Sequence, residues 1–331
     1  MIARRGPRWS FVILVALIAA CGGGGSGGGG SPPVEPGVGT KASFILANPG
    51  GLAALDDAGR AIGKLVKLPD QSAPSTPVLH PSGSAIAFAL TQQPDAKRGF
   101  GSDIYTVNLD GTNLKPIVLH EDNNVFYASP RFDASGNVLY VHRRAAIIVN
   151  GSYAGNEDSI ERIDLRTGQR VRILKDGADP TISPDGGTIV YVHLKDSQID
   201  TLWRADIDGS NARPLFKTKD AFWYLQAPRF QPKGCEIVFS AAGHTVARGS
   251  AGGRLAHLSI PSELFLVPCD GSSVKSVGQT GDDVVPAWSP DGGRIAYVGS
   301  GGFFILDVAS QSTRTIAQGQ DFFFGDLVWL K

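Results

Sequence analysis

The chain has 331 residues, 31 basic against 31 acidic side chains, 42% hydrophobic residues and 42 glycines. That composition describes a turn-rich globular protein and leaves no basic surplus for a nucleic-acid partner. Length alone would suggest two domains, but closed all-β architectures reach this size as one.

The first forty residues are processing and tether. Arg4, Arg5 and Arg8 make a positive region, and Phe11 to Ala20 is an unbroken apolar run. That run is about half of what spans a bilayer, so it reads as a signal core and not as a membrane helix. It ends in Ile18-Ala19-Ala20-Cys21, which resembles the bacterial lipobox. The resemblance implies a signal peptide over residues 1–20 and lipidation of Cys21; an ordinary secretory peptide with an incidental cysteine is the alternative. Arg4-Arg5 is followed by Gly6-Pro7, which departs from a twin-arginine signal. Residues 21–41 read as a Gly/Ser/Pro-rich tether, a coil of roughly 25 Å end to end.

From there one grammar repeats at intervals of roughly 40 to 60 residues. Its clearest form is Pro286-Ala-Trp-Ser-Pro-Asp-Gly-Gly-Arg-Ile-Ala-Tyr-Val298: an extended segment, a reversal at Ser289 to Gly292, and an alternating strand. Proline presets φ in such a turn, Asp can bond its own backbone, and glycine accepts positive φ. The pattern recurs from Pro77, Pro130, Pro180 and Pro228, each time followed by a second hairpin, as at Ile104-Tyr-Thr-Val-Asn-Leu-Asp-Gly. A sixth unit is divided between the termini. Leu327-Val-Trp-Leu330 matches Pro286 to Ser289, while Gly39 to Ile45, Leu52 to Gly59 and Ile62 to Leu68 supply its other strands. Four strands per unit predict an all-β fold over residues 42–331, a six-bladed β-propeller of four-stranded antiparallel blades. It closes by pairing the C-terminal strand with the N-terminal ones, which removes open edges.

This pattern resembles the repeat of TolB and related WD-type propellers. The resemblance implies the fold and an envelope setting, and leaves function open among binding platform, sensor and enzyme. The sequence has no room before its first strand for the α/β domain that TolB carries, and no hydrolase domain follows, so the propeller is expected to act alone.

Cys235 and Cys269 fall in the fifth unit. If Val298 faces Phe303 across a short reversal, Gly293 faces Val308, and alignment puts Cys235 and Cys269 at those two positions. A disulfide is then geometrically plausible and agrees with an oxidising compartment.

Three connections between second and third strands are long: Pro94 to Ser102, Arg143 to Asp158, and Ala241 to Ser262. Long loops on a rigid scaffold are where binding residues concentrate. Segments leading into the innermost strands carry Phe126 and Tyr127, Phe222, Trp223 and Tyr224, and Phe322, Phe323 and Phe324. Such rings can stack on a sugar or grip a peptide, or wedge between blades. His142 and His193 occupy equivalent positions at the ends of second strands, with His244 and His257 in the long fifth-unit loop. A three-histidine metal site is conceivable there, with only the ingredients of propeller-type oligogalacturonate lyases and no matching motif. Asp206-Ile-Asp-Gly-Ser-Asn211 lacks the distant glutamate of a calcium loop. There is no Gly-x-Ser-x-Gly elbow, phosphate loop or HExxH. No cofactor is called for.

The expected protein is a lipid-anchored extracytoplasmic propeller acting as a non-catalytic module for an envelope protein, a peptide or a carbohydrate. It would meet the membrane only through its anchor, with the long-loop face turned away. A metal-dependent polysaccharide lyase or hydrolase using that face is the alternative.

Overall fold

The repeating turn is built from its own side chains. The Ser289 hydroxyl donates to the Asp291 carboxylate, which also accepts Gly293 N–H at 3.0 Å, while Ser289 Oγ accepts Arg294 N–H at 2.9 Å. Ser183, Asp185, Gly187 and Thr188 repeat this arrangement bond for bond. Gly292 and Gly186 sit at φ +77° and +72°, where a Cβ would be penalised.

The computed structural model describes residues 34–216, 222–243 and 262–331, without the side chains of 223 and 243. A helical turn, α1 (Val38–Lys41), leads into β1 (Phe44–Asn48), β2 (Gly51–Leu55) and β3 (Ala61–Lys64). Then come β4 (Ala73–Leu79), β5 (Ala85–Thr91), β6 (Gly101–Asn108), β7 (Lys115–Val118), β8 (Val125–Phe132), β9 (Val138–Val149), β10 (Ser152–Asp164) and β11 (Arg170–Lys175). β12 (Gly177–Ile182), β13 (Thr188–Lys195), β14 (Gln198–Asp206) and β15 (Arg213–Pro214) follow. Next are β16 (Phe222–Phe230), β17 (Glu236–Gly243), β18 (Glu263–Pro268) and β19 (Lys275–Gln279). The chain ends with β20 (Ala287–Trp288), β21 (Arg294–Gly299), β22 (Gly302–Asp307), β23 (Ser312–Gln318), a 3₁₀ turn (Gln320–Phe322) and β24 (Asp326–Trp329).

These strands make an all-β, propeller-like arrangement of four-stranded antiparallel sheets. β24 pairs with β1, Phe44 opposite Trp329 and Ile45 opposite Val328, so the sheet ordered β24-β1-β2-β3 is shared between the two ends of the described chain. β12–β15, β16–β19 and β20–β23 form three more. The expectation of six separate four-stranded sheets needs correction: the described residues contain four, and β4–β11 form one eight-stranded sheet. The reason is a short parallel contact, Gly101 opposite Val125 and Ser102 opposite Phe126, which joins β6 to β8. A Cβ on Gly101 would collide with the Val125 carbonyl oxygen, so glycine permits the approach.

Residues 34–41, assigned from sequence to the tether, lie on the folded body. Val34 bridges to Lys64, Gly37 N–H donates to Asp110, and Val38 is buried with Ile45 and Leu65. Gly39 to Ser43 therefore form a helical turn and its exit, and the strand expected from Gly39 begins at Phe44.

Apolar side chains fill the space between neighbouring sheets. Phe44 of β1 packs on Phe303 of β22 at 5.0 Å and on Trp329 at 4.8 Å between ring centres. Ile86, Phe88, Ile45 and Leu52 are fully buried together, each contributing about 1.5–3 kcal/mol by leaving water. Cys235 and Cys269 are joined as a disulfide with their Cα atoms 5.2 Å apart. Cys269 N–H donates to Cys235 O at 2.7 Å, and Val308 N–H to Gly293 O at 3.0 Å, so the two pairs occupy the same place in their sheets. Among the described residues no helix is long and apolar enough to cross a membrane.

Candidate ligand-binding site

The first strands β4, β8, β12 and β16 each carry a proline, and Pro286 stands just before β20; proline has no N–H to give to a ladder. On β4, β8, β12 and β16 the pairing absorbs it with one extra residue, between Ser75 and Val78, Ala128 and Arg131, Ala178 and Thr181, and Gln226 and Arg229. The residues just before these prolines, Thr76, Ser129, Asp179 and Ala227, are left-handed, with φ between +48° and +52°. Each such residue costs on the order of 1–3 kcal/mol. Neighbouring strands offset part of that cost. Asp326 Oδ2 accepts Thr76 N–H at 2.6 Å, Thr76 Oγ1 accepts Ser129 N–H at 3.0 Å, and Asp179 accepts the Ser129 hydroxyl at 2.6 Å and Ala227 N–H at 2.8 Å. A chain of hydrogen bonds thus runs from β24 through β4, β8 and β12 to β16.

The bulges aim the following residues at one cavity of about 190 Å³, lined from all of β4, β8, β12, β16, β20 and β24. β4 lies against β24 and β8, β12 against β8 and β16, and β20 against β24. Arg131 and Arg229 enter the cavity from β8 and β16. Each guanidinium bonds back to the carbonyl of the proline before it, at 2.6 and 2.8 Å. Arg229 also lies 3.6 Å from Asp179. Burial, and then the Arg229 charge, push the Arg131 guanidinium down to about 9. Two carboxyls nearby respond in opposite senses. Burial raises Asp326 above its usual range, whereas for Asp179 the same burial is outweighed by Arg229, the Ser129 hydroxyl, Arg131 and the Ala227 amide, which hold it low. Neither arginine was singled out from the sequence. The available signal was Pro-Arg-Phe at the same slot of two repeats, residues 130–132 and 228–230.

Five of the aromatic residues expected on loops lie on strands, while Phe322 to Phe324 stay in the 3₁₀ turn and bend before β24. Phe126 and Tyr127 belong to β8, and Phe222, Trp223 and Tyr224 to β16. Tyr127 is 1% exposed, its hydroxyl reaching Glu121 and Glu161 and accepting from Arg170. Phe126 is half-buried, edge-on to Phe100 at 5.3 Å. Phe222 packs among Phe216, Phe239 and Phe265. Half-buried Tyr224 donates to Gln226 at 2.5 Å and lies 3.4 Å from Asp283. The Trp223 side chain lies outside the described residues. Of the last aromatic run, Phe322 is buried while Phe323 and Phe324 are exposed.

The histidines are held apart by their own partners. His142 Nε2 lies 2.7 Å from Asp158, which Arg144 also contacts. His193 Nδ1 lies 3.0 Å from Asp200, and its ring stacks on Trp203 at 3.9 Å. Among the described residues no group of three or more His, Cys, Asp or Glu side chains is placed to hold a metal. His244, His257 and Cys21 lie outside the described residues.

Arg143 to Asp158, expected as a loop, is strand. β9 and β10 continue past the sheet as a hairpin arm that turns at Asn150-Gly151, both with positive φ, +51° and +74°. This is the geometry that an Asn-Gly pair joining two strands specifies. The tip exposes Ile147, Ile148, Val149 and Tyr153 at 43, 51, 54 and 47%.

No protein-family model matches the chain. An uncharacterized protein of Agrobacterium fabrum is 27% identical over 159 residues, 44% of this chain and 50% of that protein. The chain thus aligns with half the length of this curated relative. TolB from Acinetobacter baumannii superposes with a TM-score of 0.64 at 16% identity, covering 87% of this chain and 65% of that one. Oligogalacturonate lyase from Vibrio parahaemolyticus superposes with a TM-score of 0.53 at 11% identity, covering 83% and 79%. At these identities the likeness is one of fold, and the chain is a propeller-like protein similar in architecture to TolB.

Proposed function

We propose that this chain is a six-bladed propeller lipoprotein of the bacterial envelope that binds another envelope protein without catalysing a reaction. The eight-stranded sheet is read as two blades, β4–β7 and β8–β11, touching at a two-residue parallel contact. The apolar run to Ala20 and the Ile18-Ala-Ala-Cys21 sequence support export and lipidation at Cys21. The observation that carries the binding role is the β9–β10 arm. Four large apolar side chains stand exposed at the end of a hairpin that the sheet does not need, and such patches mark protein contacts. Exposed Phe323 and Phe324 add a second apolar group.

A photo-crosslinking residue in place of Ile148, expressed in the full chain in cells, tests this reading. One dominant adduct of defined mass, lost with Ile147→Ser, supports it; a smear equal to that from an exposed site on β11 rejects it. Cys21→Ser should move the protein from the membrane fraction to the soluble one, and retention of the variant on the membrane would refute lipid anchoring.

The fold shared with oligogalacturonate lyase supports a second reading, a metal-dependent polysaccharide lyase or hydrolase. Unsaturated product from oligogalacturonate, formed only with added divalent metal, would establish it in place of the binding role.

A further inference from the structure

The central cavity is divided by residue type. At the slot after the proline position, β8, β12 and β16 carry Arg131, Thr181 and Arg229, whereas β20, β24 and β4 carry Ala287, Val328 and Val78. Because β12 lies between β8 and β16, and β24 lies against β20 and β4, each set occupies one continuous arc of the wall. One arc is cationic and hydrogen-bonding; the other is apolar.

The cationic arc is short of acceptors. Arg131 is 8% exposed, and its Nε is buried with no hydrogen-bond partner. An unpaired donor on a buried fixed charge is costly, and an incoming acceptor relieves that cost. The local charge also favours an anion. Arg131 and Arg229 lie near two carboxyls: Asp179, which they help hold ionised, and Asp326, whose proton burial holds more tightly. A guanidinium presents paired donors in a plane, which matches the two oxygens of a carboxylate.

We propose that the cavity between Arg131 and Arg229 binds the carboxylate of a small monocarboxylic acid, with its compact aliphatic or aromatic tail against Ala287, Val328 and Val78. Thr181, between the two arginines, offers a hydroxyl to the same head group. An inorganic anion would satisfy the arginines and leave a charge against the apolar arc. A neutral amide would fill the apolar arc and leave the arginines unmatched. The site is independent of the hairpin arm and of any partner bound there.

Trp288 and Trp329 line the same cavity, so intrinsic tryptophan fluorescence of the full chain reports its occupancy. Titration with cyclohexanecarboxylate should give a saturable change, with cyclohexanecarboxamide and sulfate each at least about tenfold weaker, the loss expected for one charge-assisted contact. Arg131→Gln and Arg229→Gln should each weaken the carboxylate by about tenfold or more. Ala287→Phe, which fills the apolar arc and leaves both arginines, should abolish the response. The ligand series on the parent chain decides even if a variant fails to fold. No saturable response to the carboxylate, equal affinity for the amide, or equal affinity for sulfate would each overturn the proposal.

Discussion

Asp326 on β24 accepts the backbone N–H of Thr76 on β4 at 2.6 Å, across 250 positions of sequence. The bond fixes a left-handed residue and ties the closing strand to its neighbour. It also sets a pH dependence. Burial raises the Asp326 carboxyl above its usual range, so the folded protein holds that proton more tightly than the unfolded chain. The resulting stability is present below the unfolded value near 3.8 and is lost as pH rises through the folded one. Asp326→Asn keeps a carbonyl oxygen for Thr76 and removes the charge. Urea midpoints should show the variant gaining on the parent as pH rises above about 4; a difference that stays constant with pH would contradict this.

Asp179 has the opposite sign. Despite burial, Arg229, the Ser129 hydroxyl, Arg131 and the Ala227 amide hold its carboxyl below the usual range. Its contribution is present above about pH 4 and fades as pH falls through the lowered value. Asp179→Ala leaves both arginines under-compensated and two donors unpaired, a loss of about 3–5 kcal/mol. Asp179→Asn should flatten the acid limb of the stability curve, as read from urea midpoints below about pH 4.

The Cys235–Cys269 bridge spans 34 positions and encloses the connection between β17 and β18. Closing a loop of that length in the unfolded chain is worth about 2–4 kcal/mol. The double variant Cys235→Ser with Cys269→Ser should lose that amount in urea unfolding, and a reductant should lower the parent to the same midpoint. A loss below about 0.5 kcal/mol would show that the bridge does not constrain the unfolded chain.

At the arm, backbone and surface can be separated. Gly151 has open space around it but φ +74°, so Gly151→Val should cost about 1–2 kcal/mol through conformation alone. Ile148→Asp touches an exposed side chain and should change stability by no more than about 0.5 kcal/mol. If the arm is the binding element, Ile148→Asp should abolish partner crosslinking from a photo-reactive residue placed at Tyr153, while its unfolding curve stays with the parent.

The turns and the shared β24-β1 sheet were legible because they rest on local chemistry: Ser-Pro-Asp-Gly-Gly bonds to itself, and the same grammar appears at both ends. The Cys235–Cys269 register followed from counting along one hairpin. What escaped the sequence reading was how strands extend and what meets at the centre. Arg143 to Asp158 looks polar and long, yet Ile147-Ile148-Val149 followed by Asn150-Gly151 specifies a hairpin, and twelve paired positions follow from it. Arg131 and Arg229 look like surface charges one at a time. Only the bulge at each preceding proline turns them inward, and bulges arise from pairing between strands that a linear pattern does not display. The histidines invited a metal reading because their partners, Asp158 on β10 and Asp200 on β14, come from the facing strands.

The position of β24 also sets the order in which its sheet can close. Synthesis from the N-terminus makes residues 44–48 long before residues 326–329, and the later segment completes the β1 sheet and accepts the Thr76 amide. Until it is made, β1 presents a bare edge and Thr76 lacks its acceptor. A chain arrested before residue 326 would therefore stay open at β1 and protease-sensitive, whereas pairing of β24 commits the sheet to its closed form.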